Sequence, residues 1–337
     1  MATGRVSHAY LISGPERVGK TTLALAFAQA LNCLGSDRPC GQCRSCRLVA
    51  SGRFSDVRTV QAPAREEAAR AEEARERSHM AGRVIKIEQI KELQRDAALL
   101  PYEGRCKVYI ILNADEMNAE AQNCLLKTLE EPPPAVVLIL NTTSASMLLP
   151  TVMSRCQQIN LGLLSPLEIE QALCERWGVE AERARFLARI CGGRIGWAIE
   201  AASDPEVEAG RAQQLDTLRR LLVSTYGERF EIAERLASQP TEALARVLDL
   251  WLGWWRDLLL VRGKCTELVT NIDCVGELAE LAERWTIDQI SAFIGSIQTT
   301  RQYLYQNVNH RLALEVLMLD LPSPGATRRP LPVGRPG

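Results

Sequence analysis

Apolar and polar positions change rhythm about halfway along the chain. "AYLISG" (Ala9 to Gly14) is a short apolar run closed by glycine, and "KTTLALAFAQALNCL" follows with helical spacing, which predicts strand, loop and helix. "KVYIIL" and "AVVLILNTT" are continuous apolar runs bounded by polar residues, the pattern of parallel strands covered on both faces. Between them "AEAQNCLLKTLEE" has helical spacing and is stopped by Pro132, Pro133 and Pro134. "VIKIEQIKELQRDAALL" reads as a short strand and then an amphipathic helix. Strands alternating with helices up to about Leu161 predict an α/β layer.

From Ser165 the strand pattern stops. "SPLEIEQALCERWG" has Ser165 as cap, Pro166 at the first helical position and Gly178 as stop. Two further short helices flank a glycine turn in "EAERARFLARICGGRIGWAIEAAS", and longer helices follow Asp204-Pro205 through Leu321. "PAREEAARAEEARERSHMAGR" has no apolar face and predicts an exposed helix or a partly disordered insertion. The tail "PSPGATRRPLPVGRPG" has the composition of a flexible end. The expected division is an α/β domain at 1–161 with a cysteine module at 33–46, a small helical domain at 162–204, a larger helical domain at 205–321 and a tail at 322–337.

Composition narrows the function classes. Forty basic residues against 41 acidic ones leave a net charge of −1, so no global charge drives the chain onto nucleic acid or membrane. No apolar run approaches membrane-spanning length, and "MATGRVSHAY" has no signal-peptide pattern, so a cytoplasmic protein without a membrane partner is expected. Of eleven cysteines four are clustered and the rest scattered, the usage of a reducing compartment.

Two motifs carry chemistry. "GPERVGKTT" matches the phosphate-loop pattern at Gly14, Gly19, Lys20 and Thr21, with Thr22 beside them. The glycines let backbone N–H groups curl around phosphate, Lys20 would reach the outer phosphates and Thr21 would ligate magnesium. Either a working ATP–magnesium site or a relic loop would look like this. In "CLGSDRPCGQCRSC", Cys33, Cys40, Cys43 and Cys46 can close a tetrahedron of thiolates around a structural zinc, with no open position for catalysis. Arg155 in "PTVMSRCQQINL", on spacing alone, is a surface charge. His8, His79 and His310 lie apart from any acid or nucleophile, Cys156 reads as a small buried hydrophobe, and Trp251, Trp254 and Trp255 have helical spacing, as core or subunit contact.

"HAYLISGPERVGKTT", the cysteine cluster, "NCLLKTLEEPP" and "LLPTVMSRC" together resemble the clamp-loader subunits of bacterial DNA polymerase III, which are AAA+ proteins, and the resemblance runs over nearly the whole chain. It implies an α/β AAA+ P-loop domain with a parallel sheet, a small helical lid and an all-α collar. It also implies that Arg155, in the Ser-Arg-Cys motif, is a finger acting in trans on ATP bound by a neighbour. In hydrolysing members the magnesium aspartate lies eleven residues before the Asn of the Asn-Ala-Leu-Leu-Lys helix. Counted back from Asn123, taken as the start of that helix, the position falls on Leu112, with Asn113 where the catalytic glutamate would be. Asp115 and Glu116 come three residues late, about 10 Å along an extended chain, and are expected instead to cap the next helix. The lid arginine of hydrolysing members aligns with Ile195, and Arg194 is one residue away. A longer segment ahead of His8, touching adenine, is also part of the family pattern.

The resemblance thus implies a non-hydrolysing, stator-like subunit of a hetero-oligomer. Its partners would be gamma/tau and delta subunits through the collar and AAA+ faces, with the sliding clamp and primed DNA reached through the assembly. Two alternatives stand beside it: an active ATPase motor in which Asp115 and Glu116 reach magnesium through a strand bulge, and a small-substrate P-loop kinase. The second leaves the helical half and Arg155 unexplained.

Overall fold

Five parallel strands form one sheet in the order β2-β3-β4-β1-β5. They are β1 Ala9–Ser13, β2 Val57–Val60, β3 Lys107–Ile111, β4 Val136–Thr142 and β5 Gln157–Asn160. This computed structural model describes residues 6–63, 84–304 and 308–322. The exposed helix or insertion expected at 63–83, which includes His79, lies almost wholly outside the described residues, as does the tail.

The chain divides into two compact units, Met1–Leu164 with Arg194–Gly196, and Ser165–Gly193 with Trp197–Gly337. In the first, the central strands are buried along their whole length, as continuous apolar runs require. Alternation sorts their side chains. Val136, Leu138 and Leu140 share one face with Ile90 and Leu93 of α3 (Ile87–Ala97) and Ala121, Leu125 and Leu129 of α4 (Ala119–Glu130). Val137 and Ile139 share the other with Ala24 and Ala28 of α1 (Lys20–Asn32). The small α2 (Arg44–Ala50) follows the cysteine module, and α5 (Pro150–Met153) leads into β5.

One buried carboxylate organises the approach to β3. Asp56 accepts the backbone N–H groups of Tyr102, Glu103 and Gly104 at 2.7–2.8 Å, and Asn32 accepts those of Arg105 and Cys106. Burial acts against ionisation of Asp56, but the three N–H donors and Lys107 outweigh it and hold the carboxyl below its usual range.

The second unit is helical throughout its described residues. Its helices are α6 Pro166–Trp177, α7 Ala181–Ile190, α8 Ile195–Ser203 (shared with the first unit), α9 Pro205–Val223, α10 Tyr226–Ala237, α11 Thr241–Arg262, α12 Val275–Ala282, α13 Ile287–Tyr303 and α14 His310–Asp320. Ser165 caps α6 with a full capping box to Glu168, and Gly178 closes it in the left-handed region. Trp251, Trp254 and Trp255 are fully buried, with Trp255 against Trp285 and Phe293, so the tryptophans are core. The fully buried Asp257 accepts from the backbone and side chains of Thr270 and Asn271, which ties the loop after α11 to that helix.

Three local expectations change. The short strand ahead of α3 is a single bridge, Ile85 to Met117, because Lys86 already caps the helix. α4 starts at Ala119, where its helical spacing begins, and not at Asn123, the start taken for the residue count. Its cap is Asn118, which accepts from the N–H of Ala121, so neither Asp115 nor Glu116 caps it.

Candidate nucleotide and metal sites

β1 runs into the phosphate loop, and two glycines shape it. A Cβ on Gly14 would lie 2.3 Å from the Leu161 carbonyl oxygen, so a side chain cannot fit between β1 and the chain leaving β5. Gly19, at φ 98°, makes the left-handed turn that starts α1 at Lys20. The Lys20 Nζ donates to the carbonyls of Gly14 and Pro15, both at 2.7 Å. Burial lowers the Lys20 pKa, against Glu16 and Asp115, which raise it. Thr21 and Thr22 follow in the exposed first turn of α1. The loop therefore offers an ammonium and a helix N-terminus at one point, which suits a phosphate. Gly196 N–H donates to the Arg17 carbonyl at 2.7 Å, so residues 194–196 (Arg194 and Ile195 among them) adjoin this loop.

At the end of β3, Leu112 packs against the apolar cluster on the α1 side. Asn113 takes a left-handed conformation, φ 48°, and the chain folds into a short 3-10 turn, Ala114–Glu116. The three-residue offset of Asp115 is therefore taken up in a turn rather than extended. Its carboxylate accepts from the hydroxyls of Thr142 (2.7 Å) and Thr143 (3.0 Å) at the end of β4, close enough to Lys20 to influence its ammonium. Glu116 accepts from the Asn113 side chain at 3.0 Å. Asp115 thus stays beside the loop with both oxygens hydrogen-bonded, a proximity that counting residues missed.

Cys33, Cys40, Cys43 and Cys46 converge, all four sulfurs lying within 4.8 Å of one another. Four zinc–thiolate bonds at tetrahedral angles put sulfurs about 3.8 Å apart, and Cys33 and Cys43 are 4.0 Å apart. Backbone N–H groups aim at the sulfurs: Gly35 and Cys40 at Cys33, Cys43 at Cys40, and Cys46 at Cys43. Such donors favour thiolate. The Cys46 N–H brings Cys43 down to about 6 and the Cys40 N–H lowers Cys33, while burial raises Cys46 to about 12. The donor set fits zinc, which would supply structural cross-linking and no open coordination position.

Arg155 follows α5 and is about one-third exposed. Its guanidinium meets Glu130, the last residue of α4, at 2.7 Å and donates to the Thr151 carbonyl at 2.9 Å. Cys156 beside it is buried, which raises its thiol to about 11.

The model of the delta subunit of DNA polymerase III matches residues 1–165, and that of the same subunit's C-terminal part matches 209–322. The delta' subunit of DNA polymerase III from Bacillus subtilis is 30% identical over 94% of this chain and 91% of its own. The tau subunit from Escherichia coli is 34% identical over 95% of this chain, and tau/gamma from Haemophilus influenzae 29% over 94%. The chain spans 50% and 46% of those two, about half their length. With its parallel P-loop sheet and helical second unit, the chain belongs to the AAA+ clamp-loader subunits of bacterial DNA polymerase III.

Proposed function

We propose that the chain is the stator-like delta-prime subunit of the clamp loader, joining ATPase subunits and donating Arg155 to ATP held by a neighbour, without hydrolysing ATP itself. The carrying observation is at the end of β3. Leu112, at the position the family pattern gives to the magnesium aspartate, packs into the apolar cluster beside α1, and Asp115, three residues on, has its oxygens hydrogen-bonded to Thr142 and Thr143. A leucine offers magnesium no oxygen, and the neutral Asn113 takes no proton from an attacking water. Arg155, meanwhile, is held near the surface on Glu130 rather than turned to its own loop. In the assembly it would exchange that partner for the γ-phosphate next door, where fixed positive charge lowers the barrier to phosphoryl transfer.

In this reading residues 1–161 are the AAA+ domain, 162–204 the lid, and 205–321 the collar that contacts gamma/tau and delta subunits. The setting is cytoplasmic; no described helix is long and apolar enough to cross a membrane. α14 offers a surface for the collar contact: Leu312, Val316 and Leu319 are at least half exposed and share one helical face. Through such contacts the subunit would help place the sliding clamp on primed DNA.

A second reading, the gamma/tau-type motor, draws on the nearness of Asp115 to Lys20. Magnesium-dependent ATP hydrolysis by the purified chain separates the two. The stator reading predicts none above background, with or without Glu116→Gln; a rate abolished by that substitution would establish the motor.

A further inference from the structure

The chain as a whole is near neutral, but its charge is unevenly placed. Residues 33–55 hold four arginines against one acid, Asp37. Arg47 and Arg53 from this stretch and Arg105 from the loop ahead of β3 are all exposed. Among the described residues none of the three meets a carboxylate.

The fold draws them to one rim. Arg44 reaches Glu103 at 3.2 Å, which fastens α2 to the loop that carries Arg105. Three residues along α2, Arg47 shares the face of Arg44. The Arg53 N–H returns to the Leu48 carbonyl and closes the turn that leaves α2. Three residues further on, Asp56 holds the N–H groups of Tyr102, Glu103 and Gly104. The module and the loop are therefore tied together where β2 and β3 begin. The strands are parallel and the phosphate loop follows the end of β1, so this rim lies at the opposite ends of the strands.

The same loop carries the two most exposed large apolar side chains of the described residues, Leu100 at 82% and Tyr102 at 86%. Exposing them costs solvation that burial in a core would recover. A free aromatic ring beside guanidinium groups suits a ligand that is both flat-faced and anionic.

We propose that this rim binds single-stranded nucleic acid, with phosphates on Arg47, Arg53 and Arg105 and an unstacked base on Tyr102. A duplex offers the same phosphates, but its bases are stacked on one another and leave Tyr102 without a partner. Contacts to phosphates and to the face of a base carry little sequence information, so the site tolerates any sequence. It is separate from the phosphate loop and independent of the role given to Arg155.

The test is fluorescence anisotropy of the full chain with a labelled oligothymidylate of about 20 nucleotides, between about 50 and 200 mM salt. Wild type should bind more tightly as salt falls, and a duplex of equal length should bind more weakly than the single strand. Arg47→Ala and Arg53→Ala should each flatten the slope of log affinity against log salt by about 0.7, the share of one phosphate contact. Tyr102→Ala should weaken binding about tenfold at every salt concentration with the slope unchanged, because stacking releases no counterions. All three side chains are exposed, so the variants should melt with wild type. No binding at the lowest salt, or slopes unchanged in both arginine variants, would overturn the proposal. So would a Tyr102→Ala variant or a duplex that binds as well as wild type binds the single strand, a result that would leave the rim to an acidic protein surface.

Discussion

Individual side chains decide what each site can do, and two kinds of carboxylate show it. Asp115 is hydrogen-bonded to two hydroxyls at the mouth of the sheet, whereas Asp56 holds three backbone N–H groups in the interior. Asp56→Asn keeps one acceptor but turns a donor toward N–H groups, so at neutral pH it should cost about 2 kcal/mol, the scale of charged hydrogen bonds. The folded-state pKa of Asp56 is depressed, so its contribution is present above the unfolded value near 3.9 and fades as pH falls through the folded one. Denaturant melts should therefore show a gap between wild type and Asp56→Asn at neutral pH that closes in acid; a pH-independent gap would contradict this. The purified chain should carry zinc by atomic absorption, and Cys43→Ser should lose it and melt lower, while the rate loss expected of Arg155→Ala in the reconstituted loader should be the same with or without that substitution. The cysteine quartet and the phosphate loop were legible because their parts are adjacent in sequence. Asp56 and Glu130 were not, since each matters through residues brought to it by the fold.

Elements were legible in proportion to their burial. β3 and β4 are buried on both faces and read as apolar runs, whereas the edge strands β2 ("VRTV") and β5 ("QQIN") are partly exposed and carry little apolar signal. Capping chemistry fixed both ends of α6 from sequence alone, and the helical spacing of "AEAQNCLLKTLEE" marked α4; only the start taken at Asn123 for the residue count fell late, one turn beyond the Asn118 cap. The junction of β1 with the segment after β5 is the element-scale weak point. Gly14→Ala would press a methyl group into the Leu161 carbonyl, so it should destabilise the first unit by about 2 kcal/mol or more and weaken nucleotide binding with it. A stable variant with normal binding would show that β5 yields at little cost.

For the whole molecule, α/β alternation followed by helices was readable because the apolar period changes from strand-like runs to helical spacing near Ser165. What sequence could not show is which faces remain uncovered, since exposure is settled by packing. Val316→Glu on the apolar face of α14 should leave the chain folded, as its side chain is half exposed, yet exclude it from the reconstituted loader on size-exclusion chromatography. Normal incorporation would place the collar contact elsewhere. The central claim, that this subunit acts on ATP it does not itself hydrolyse, is tested most directly by the ATPase rate of a reconstituted loader stimulated by clamp and primed DNA. Arg155→Ala in this subunit alone should cut the rate steeply, while Lys20→Ala should leave it nearly unchanged. Equal losses from the two, or a loss from Lys20→Ala only, would mean that the chain fires its own ATP and that Leu112 does not disable its site.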